Sequence, residues 1–266
     1  NDMKSSIYSS VTDAVAAAKG AYSRYSKLTL NERQEILEGV KKALRPIANE
    51  LAAMTVSETG MGNVCDKAQK IKLAIEKTPG VEDLITEVNT GDHGMTLYEL
   101  PLLVLFVGTA MHQSLRDFIS NTIGMLAAGN AIIHCPHPRA VKVSQFLTTI
   151  ISETIRSISG IDNLVVTLHE SLMGFTTEVM SHPDVDLVVC TGGSGSLRQA
   201  MTSGKKEIGA GPANPVAIVD ATANFEKLQG TIVRGASFVQ QSDVYVGKVV
   251  WLWKKKTADR FIICSF

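Results

Sequence analysis

Three sets of residues in this sequence have types and spacing suited to chemistry. Cys190-Thr191-Gly192-Gly193-Ser194-Gly195-Ser196 follows a short apolar run and opens a helix-like segment. Glycines there let backbone approach a ligand, and free N–H groups at a helix start favour phosphate oxygens. The stretch departs from the strict GxGxxG fingerprint, so a plain strand-to-helix turn is the competing reading. His134-Cys135-Pro136-His137-Pro138 ends a second apolar run, with Arg139 starting the next helix. Two histidines and a cysteine suggest a metal, but zinc needs three or four convergent ligands and no second cluster completes the set. A loop that meets a ribose or phosphate fits these residues better. The third set is the cysteines, Cys65, Cys135, Cys190 and Cys264. Cys135 and Cys190 stand at predicted strand ends, yet no nearby base would lower a thiol pKa, and Cys264 lies in a tail without an evident partner. His112, His169 and His182 have no companions and read as surface residues.

The elements that must position these residues change character along the chain. The first 90 residues are dominated by helical signals. Thr29 and Glu32 fit a capping box, and Ile36, Leu37, Val40, Leu44, Ile47 and Leu51 recur at helical spacing. Pro46 should kink or divide that run, Gly60 should stop it, and a further helix is predicted over Cys65–Lys77. Beyond His93-Gly94, strand and helix signals alternate. Met95–Leu100 alternates like a strand, and Leu102–Val107, Ala131–His134, Leu164–Thr167, Asp186–Cys190, Pro215–Val219 and Val246–Trp253 are short apolar runs. Helices are predicted over Gln113–Ala127, Arg139–Ser157, Ser171–Met180, Gly195–Ser203 and Phe225–Arg234. Buried strands separated by helices imply βαβ units, a parallel sheet and ligands at the strands' carboxyl ends. These surroundings favour nucleotide binding for the Thr191-Gly192-Gly193 turn over the plain-turn reading.

Composition narrows the classes. The chain has 266 residues, 45% hydrophobic and 20% charged, with 26 basic and 26 acidic residues. That suits a globular protein with a sizeable core, and zero formal net charge gives no reason to expect nucleic acid or an anionic membrane as partner. No apolar stretch is long enough to suggest a membrane span. Widely spaced cysteines without CxxC, and an Asn1–Ser10 segment unlike a secretory signal, lead us to expect a cytoplasmic location.

Six motifs occur in order: Ser57-Glu58-Thr59-Gly60-Met61-Gly62, Thr78-Pro79-Gly80-Val81-Glu82, Ala127-Ala128-Gly129-Asn130, Pro136-His137-Pro138, Thr191-Gly192-Gly193 and Gly209-Ala210-Gly211-Pro212. With the Gly235-Ala236-Ser237-Phe238 turn, they make residues from about Val11 to Lys248 resemble the CoA-acylating aldehyde dehydrogenases of ethanolamine and propanediol utilisation. The aldehyde dehydrogenase half of bifunctional alcohol/aldehyde dehydrogenases is similar too. The resemblance implies an α/β fold: a Rossmann-type parallel sheet with helices on both faces, preceded by an N-terminal helical segment. It implies segments 1–94 (helical, packing on the core), 95–245 (nucleotide-binding core) and 246–266 (start of a catalytic domain that is cut short). It implies NAD(H) and CoA as ligands, at Pro136, His137, Pro138, Thr191, Gly192, Gly193, Gly209, Ala210 and Gly211. Partners would be a dinucleotide or CoA, with self-association or a full-length relative engaged through Met95–Leu100, and the cytoplasmic chain would associate with a bacterial microcompartment.

The same resemblance exposes departures. Family members deliver a nucleophilic cysteine after the Gly-Ala-Ser-Phe turn, and that position is Val244. Without a thiolate no covalent adduct with an aldehyde forms, so hydride has no route to a nicotinamide. Val239-Gln240-Gln241 replaces the family's Asp-Asn-Asn, Ala213 stands where glycine is usual, and Gln113 occupies the place of an oxyanion-supporting asparagine. Gln113 can still donate, but one extra methylene displaces its amide, and losing one such donor costs on the order of 100- to 1000-fold. No carboxylate lies in Gly209–Pro215, which suits acylating rather than hydrolytic ancestry. The expectation is a protein that keeps weak nucleotide binding, or has lost it, and lacks dehydrogenase activity. The alternatives are an enzyme that uses another thiol or a partner's cysteine, and a non-catalytic assembly partner.

Overall fold

The computed structural model describes residues 6–84, 88–90, 96–98, 106–110, 115–211, 216–219, 222, 224, 227 and 249–252. Four helices come first: α1 (Val11–Tyr25), α2 (Leu30–Leu44), α3 (Ala48–Thr59) and α4 (Val64–Lys77). Their ends obey local rules. Ser10 and Asn63 cap α1 and α4 by accepting the N–H of Asp13 and Asp66. Thr29 and Glu32 form the reciprocal capping box of α2. Pro46 falls in the break between α2 and α3, and Gly60 closes α3 at φ 71°. The predicted divisions at Pro46 and Gly60 are both present.

Strands and helices then alternate. They are β2 (Val88–Thr90), β3 (Thr96–Tyr98), β4 (Phe106–Ala110), α5 (Leu115–Ala127), β5 (Ile132–His134), α6 (Val141–Ser159), β6 (Val165–Leu168), α7 (Met173–Ser181), β7 (Leu187–Thr191), α8 (Ser194–Met201), β8 (Lys206–Ala210), β9 (Val216–Val219) and β10 (Val249–Leu252). With β1 (Ile7–Tyr8), six strands form one sheet in the order β1-β6-β5-β4-β7-β8, and every pairing in it is parallel. β2 and β3 form an antiparallel hairpin, and β9 pairs with β10 in parallel. Every residue of β5 and β6 is buried although successive side chains point to opposite faces, so the sheet is covered on both sides at these strands. This is the predicted α/β architecture.

Differences from the sequence expectations have local causes. The strand expected over Leu102–Val107 is seen at Phe106–Ala110, and 101–105 lie outside the described residues. The helix expected over Phe225–Arg234 also falls outside them, apart from Lys227. β1, β2 and β8 were not foreseen, and β1 and β2 fall in the 1–94 segment expected to be helical. β1 has two residues and joins through backbone, Ser6 O accepting Thr167 N–H and Tyr8 O accepting His169 N–H, so it leaves no periodic signal. β8 is an edge strand whose residues are nearly all exposed, so no apolar alternation marks it.

One apolar core runs from α1 (Tyr25) and α2 (Leu37) through α5 (Ile119, Leu126) into the strands (Ile132, Val166, Val188). The first helices therefore share one interior with the sheet. Polar side chains fasten the carboxyl end of α5 within it. Tyr25 Oη donates to Leu126 O at 2.9 Å, Arg33 donates to Ala127 O at 3.3 Å, and Asn130 donates to Met125 O at 3.1 Å. Gly129 sits at φ 85°, where a Cβ would lie 2.6 Å from the Arg33 guanidinium. The Ala127–Asn130 motif is thus the turn that launches β5.

Candidate functional site

Chain order in the sheet reverses beside β4. The chain steps outward from β4 to β5 and β6, then crosses back to place β7 and β8 on the other side. In such sheets ligands settle in the crevice at the carboxyl ends where the order switches. Gly108 pairs with His134 of β5 on one side and Val189 of β7 on the other. The loops after β5 and β7 therefore leave the same edge two strand spacings apart, about 10 Å. Pro136-His137-Pro138 occupies one loop and Thr191-Gly192-Gly193 the other. Gly209, Ala210 and Gly211 adjoin the second, since Cys190 and Thr191 pair with Gly209 and Ala210, and Gly192 N–H donates to Ala210 O at 3.0 Å. The nine predicted cofactor-binding residues thus gather at one rim of the sheet.

The two loops are built differently. After β5, Cys135 and Pro136 are buried, and His137 and Pro138 emerge towards solvent. The ring of His137 accepts the Arg139 N–H through Nδ1 at 3.1 Å, which in the neutral ring leaves the proton on Nε2. α6 has no cap from its own sequence. Its first N–H groups are taken by a distant carboxylate: Glu58 on α3 accepts Lys142 N–H and Val143 N–H through its two oxygens, each at 2.8 Å. Ser171, after β6, donates its hydroxyl to Pro136 O, and Gln145 donates to Leu168 O and His169 O at 3.1 and 2.8 Å. Bonds from three elements hold the loop and its neighbour.

After β7 the turn is less encumbered. α8 starts at Gly193 without a side-chain cap, and Ser194 and Gly195 are exposed. A Cβ on Gly195 would meet nothing within 4 Å, whereas one on Gly209 would collide first with the flexible Glu207 carboxylate and would meet Leu197 Cδ2 at 3.0 Å. Glycine at 209 permits α8 to sit close on β8, and glycine at 195 leaves open space at the helix start. Uncapped N–H groups at a helix start in an open turn suit the oxygens of a phosphate.

His134, at the end of β5, has a structural task. It is fully buried, stacked on Phe118 at 3.6 Å between ring centres, and its Nε2 lies 2.9 Å from Thr122 Oγ1. The Thr122 hydroxyl already donates to Phe118 O, so it accepts from Nε2–H. Desolvation pushes the imidazole pKa down to about 3, which keeps the ring neutral. Among the described residues no three His, Cys, Asp or Glu side chains are grouped to hold a metal.

The thiols separate clearly. Cys135 is buried, and burial pushes its thiol up to about 12, so it is not a ready nucleophile. Cys190 is fully buried and Cys65 is exposed on α4. Gln113, Val239, Gln240, Gln241, Val244, Ala213, His112 and Cys264 lie outside the described residues.

Two features escaped the sequence reading. Glu58 was visible only as part of a motif, because a carboxylate that caps a helix 84 residues away leaves no local pattern. Lys67 and Lys70, buried on α4 near the first turn of α5, are the other feature. Burial, then the charges of Lys67 and Arg116, push Lys70 down to about 8, and burial lowers Lys67. They lie beside the start of the helix that follows segment 111–114. The spacing Lys67-x-x-Lys70 on an amphipathic helix reads as a solvated face, so only the fold shows that it is covered.

Known proteins share this fold. The pattern of the aldehyde dehydrogenase family matches residues 2–262. A propanal dehydrogenase (CoA-propanoylating) of Salmonella typhimurium is 44% identical over 233 residues, covering 87% of this chain and 50% of the relative. An acetaldehyde dehydrogenase (acetylating) of Escherichia coli K12 is 38% identical over 234 residues, with coverage of 87% and 50%. A propionaldehyde dehydrogenase of Rhodopseudomonas palustris, solved with propionyl-CoA bound, superposes with a TM-score of 0.89 at 33% identity, covering 98% of this chain and 58% of that one. The chain spans about half the length of the curated relatives it matches. The family match along nearly the whole chain and the shared architecture agree with the motifs at the sheet's rim: this chain belongs to the aldehyde dehydrogenase family, and it resembles the CoA-acylating propanal and acetaldehyde dehydrogenases.

Proposed function

We propose that the chain binds an adenosine nucleotide, NAD(H) or CoA, at the carboxyl rim of its sheet and does not itself oxidise aldehydes. One observation carries the binding half: the loops after β5 and β7 flank β4 at the switch in strand order, on the same edge. The ribose side falls to Pro136-His137-Pro138. The phosphates fall to the uncapped start of α8, with Gly209, Ala210 and Gly211 alongside. Bound NAD would supply a hydride acceptor and bound CoA a thiol that takes up an acyl group. The chain's own residues hold and orient the adenosine and diphosphate portions.

The catalytic half of the reading rests on sequence. Val244 stands where the resemblance places the nucleophile, and an aliphatic side chain forms no thiohemiacetal. The buried, protonated state of Cys135 weighs against that thiol as a substitute. Location in the cytoplasm, with association to a microcompartment, accompanies this reading. The test joins two measurements on the purified chain. Titration with NADH and CoA should show saturable binding, and incubation with propionaldehyde, NAD and CoA should yield no NADH above background. NADH at enzyme-like rates contradicts the catalytic half; absence of binding contradicts the other.

A second reading is favoured by one observation. β2 and β3 pair antiparallel, Val88 with Tyr98 and Thr90 with Thr96, as a hairpin separate from the six-stranded sheet. Such a hairpin can extend another subunit's sheet, so the chain would assemble with itself or a full-length relative through Met95–Leu100. Sedimentation of the chain alone and mixed with a full-length relative tests this. A monomer in both conditions contradicts it.

A further inference from the structure

Glu58 makes two bonds that the nucleotide reading leaves unexplained. Its carboxylate lies on α3, outside the βαβ region, yet both oxygens accept backbone N–H groups of Lys142 and Val143 at 2.8 Å. Those groups begin α6, which follows the loop containing Pro136 and His137 after a single 3-10 turn, Pro138–Ala140. A charged acceptor across two helix-start amides is among the stronger hydrogen-bonding arrangements available to a protein. It fixes where α6 begins, and therefore where the preceding loop stands. It also occupies a helix start that would otherwise draw an anion. The helix start on the other side of β4, at α8, has no side-chain cap. Arg139 and Lys142 are exposed on the same turn and form no ion pair among the described residues, so two cations stand near that single tethered carboxylate.

We propose that Glu58 is the positioning residue of the ribose-side loop, and that its charge, seated at the start of α6, weighs against a ribose carrying a phosphate monoester. The inference rests on the reading that the loop after β5 receives an adenosine ribose. Ribose phosphate comes from two sources, the 3′-phosphate of CoA and the 2′-phosphate of NADPH, so each is paired with its unphosphorylated counterpart. Wild-type chain, Glu58→Gln, Glu58→Ala and Ser171→Ala are titrated with NADH, NADPH, CoA and 3′-dephospho-CoA at low ionic strength, with unfolding followed in parallel.

Glu58→Gln keeps one acceptor and removes the charge. It should raise the affinity for CoA relative to dephospho-CoA, and for NADPH relative to NADH, by about 3- to 10-fold, the scale of one partly screened charge. A shift in only one pair would identify which ribose oxygen faces the turn and would support the proposal. Glu58→Ala should show the same change in ratio while weakening all four ligands by about 10-fold, because the loop loses its anchor. Ser171→Ala, which releases Pro136 O without touching the charge, should weaken all four and leave both ratios unchanged. A purely structural Glu58 would alter stability and leave the ratios alone, and that result overturns the proposal. Should none of the four ligands bind the wild-type chain, the nucleotide reading itself fails and this inference falls with it.

Discussion

Of the helices that start at the carboxyl rim of the sheet, α6 and α8 are treated oppositely by the sequence. α6 begins closed: a carboxylate from α3 consumes its first amides, a serine holds the preceding loop, and buried Cys135 and Pro136 root that loop in the core. α8 begins open, at a glycine with no cap, beside an edge strand whose residues are mostly exposed. A ligand lying across both meets a preformed wall on one side and a helix start without a side-chain cap on the other. Rigid placement suits a ribose, whose hydroxyls need geometry. Open amides suit a diphosphate, whose charge they attract. A ligand site can therefore share its tasks between an anchored loop and a permissive one.

The contrast predicts unequal sensitivity. Ile132 is fully buried in β5, and Ile132→Ala should cost about 2–5 kcal/mol of stability in urea unfolding, with the cavity adding to lost burial. A loss below about 1 kcal/mol, the level of a surface change, would show that the β5 side is not the rigid half.

Acid should attack the same side. His134 has a folded-state pKa depressed to about 3 against 6.5 when unfolded, so its contribution to stability is complete above 6.5 and lost as pH falls towards 3. Across that window the wild-type chain should lose up to about 1.4 kcal/mol per pH unit more than His134→Phe, measured by denaturant unfolding. Parallel pH curves for the two proteins would mean that the imidazole is not held neutral in the core.

Glu58→Ala should cost less, about 1–2 kcal/mol, the usual worth of a strong cap. A larger loss would mean that α3 and α6 depend on the bond more than a cap requires. Thiol labelling of the native chain should modify Cys65 and spare Cys135 until denaturant is added. Equal reactivity would place Cys135 near solvent and revive it as a nucleophile. The smallest effect belongs to the open side: Ile208 is 57% exposed on β8, and Ile208→Ala should stay within about 0.5 kcal/mol of wild type. A loss comparable to that at Ile132 would abolish the contrast.

Legibility in the sequence followed the same division. Thr29 and Glu32, Pro46 and Gly60 marked helix ends correctly because capping and backbone geometry are local effects. The short apolar runs marked β5, β6 and β7 because those strands are buried, and glycines and prolines at their ends marked the loops of the rim. β8 was missed because an exposed edge needs no apolar pattern, and β1 because two residues have no period. Glu58 was missed for another reason: its partners are amides 84 and 85 residues away, and such a bond exists only once the helices have packed. Val244 and Gln113 were identified through resemblance, and both lie outside the described residues.

Hydrogen–deuterium exchange of the purified chain, with and without NADH, measures both helix starts in one experiment. Saturating nucleotide should slow exchange at Ser194, Gly195 and Ser196, where α8 begins without a side-chain cap, and leave Lys142 and Val143, already bonded to Glu58, nearly as slow as before. Unchanged exchange at 194–196 in the presence of saturating nucleotide would contradict a diphosphate at the start of α8, and with it the site built on the open and closed ends of the rim.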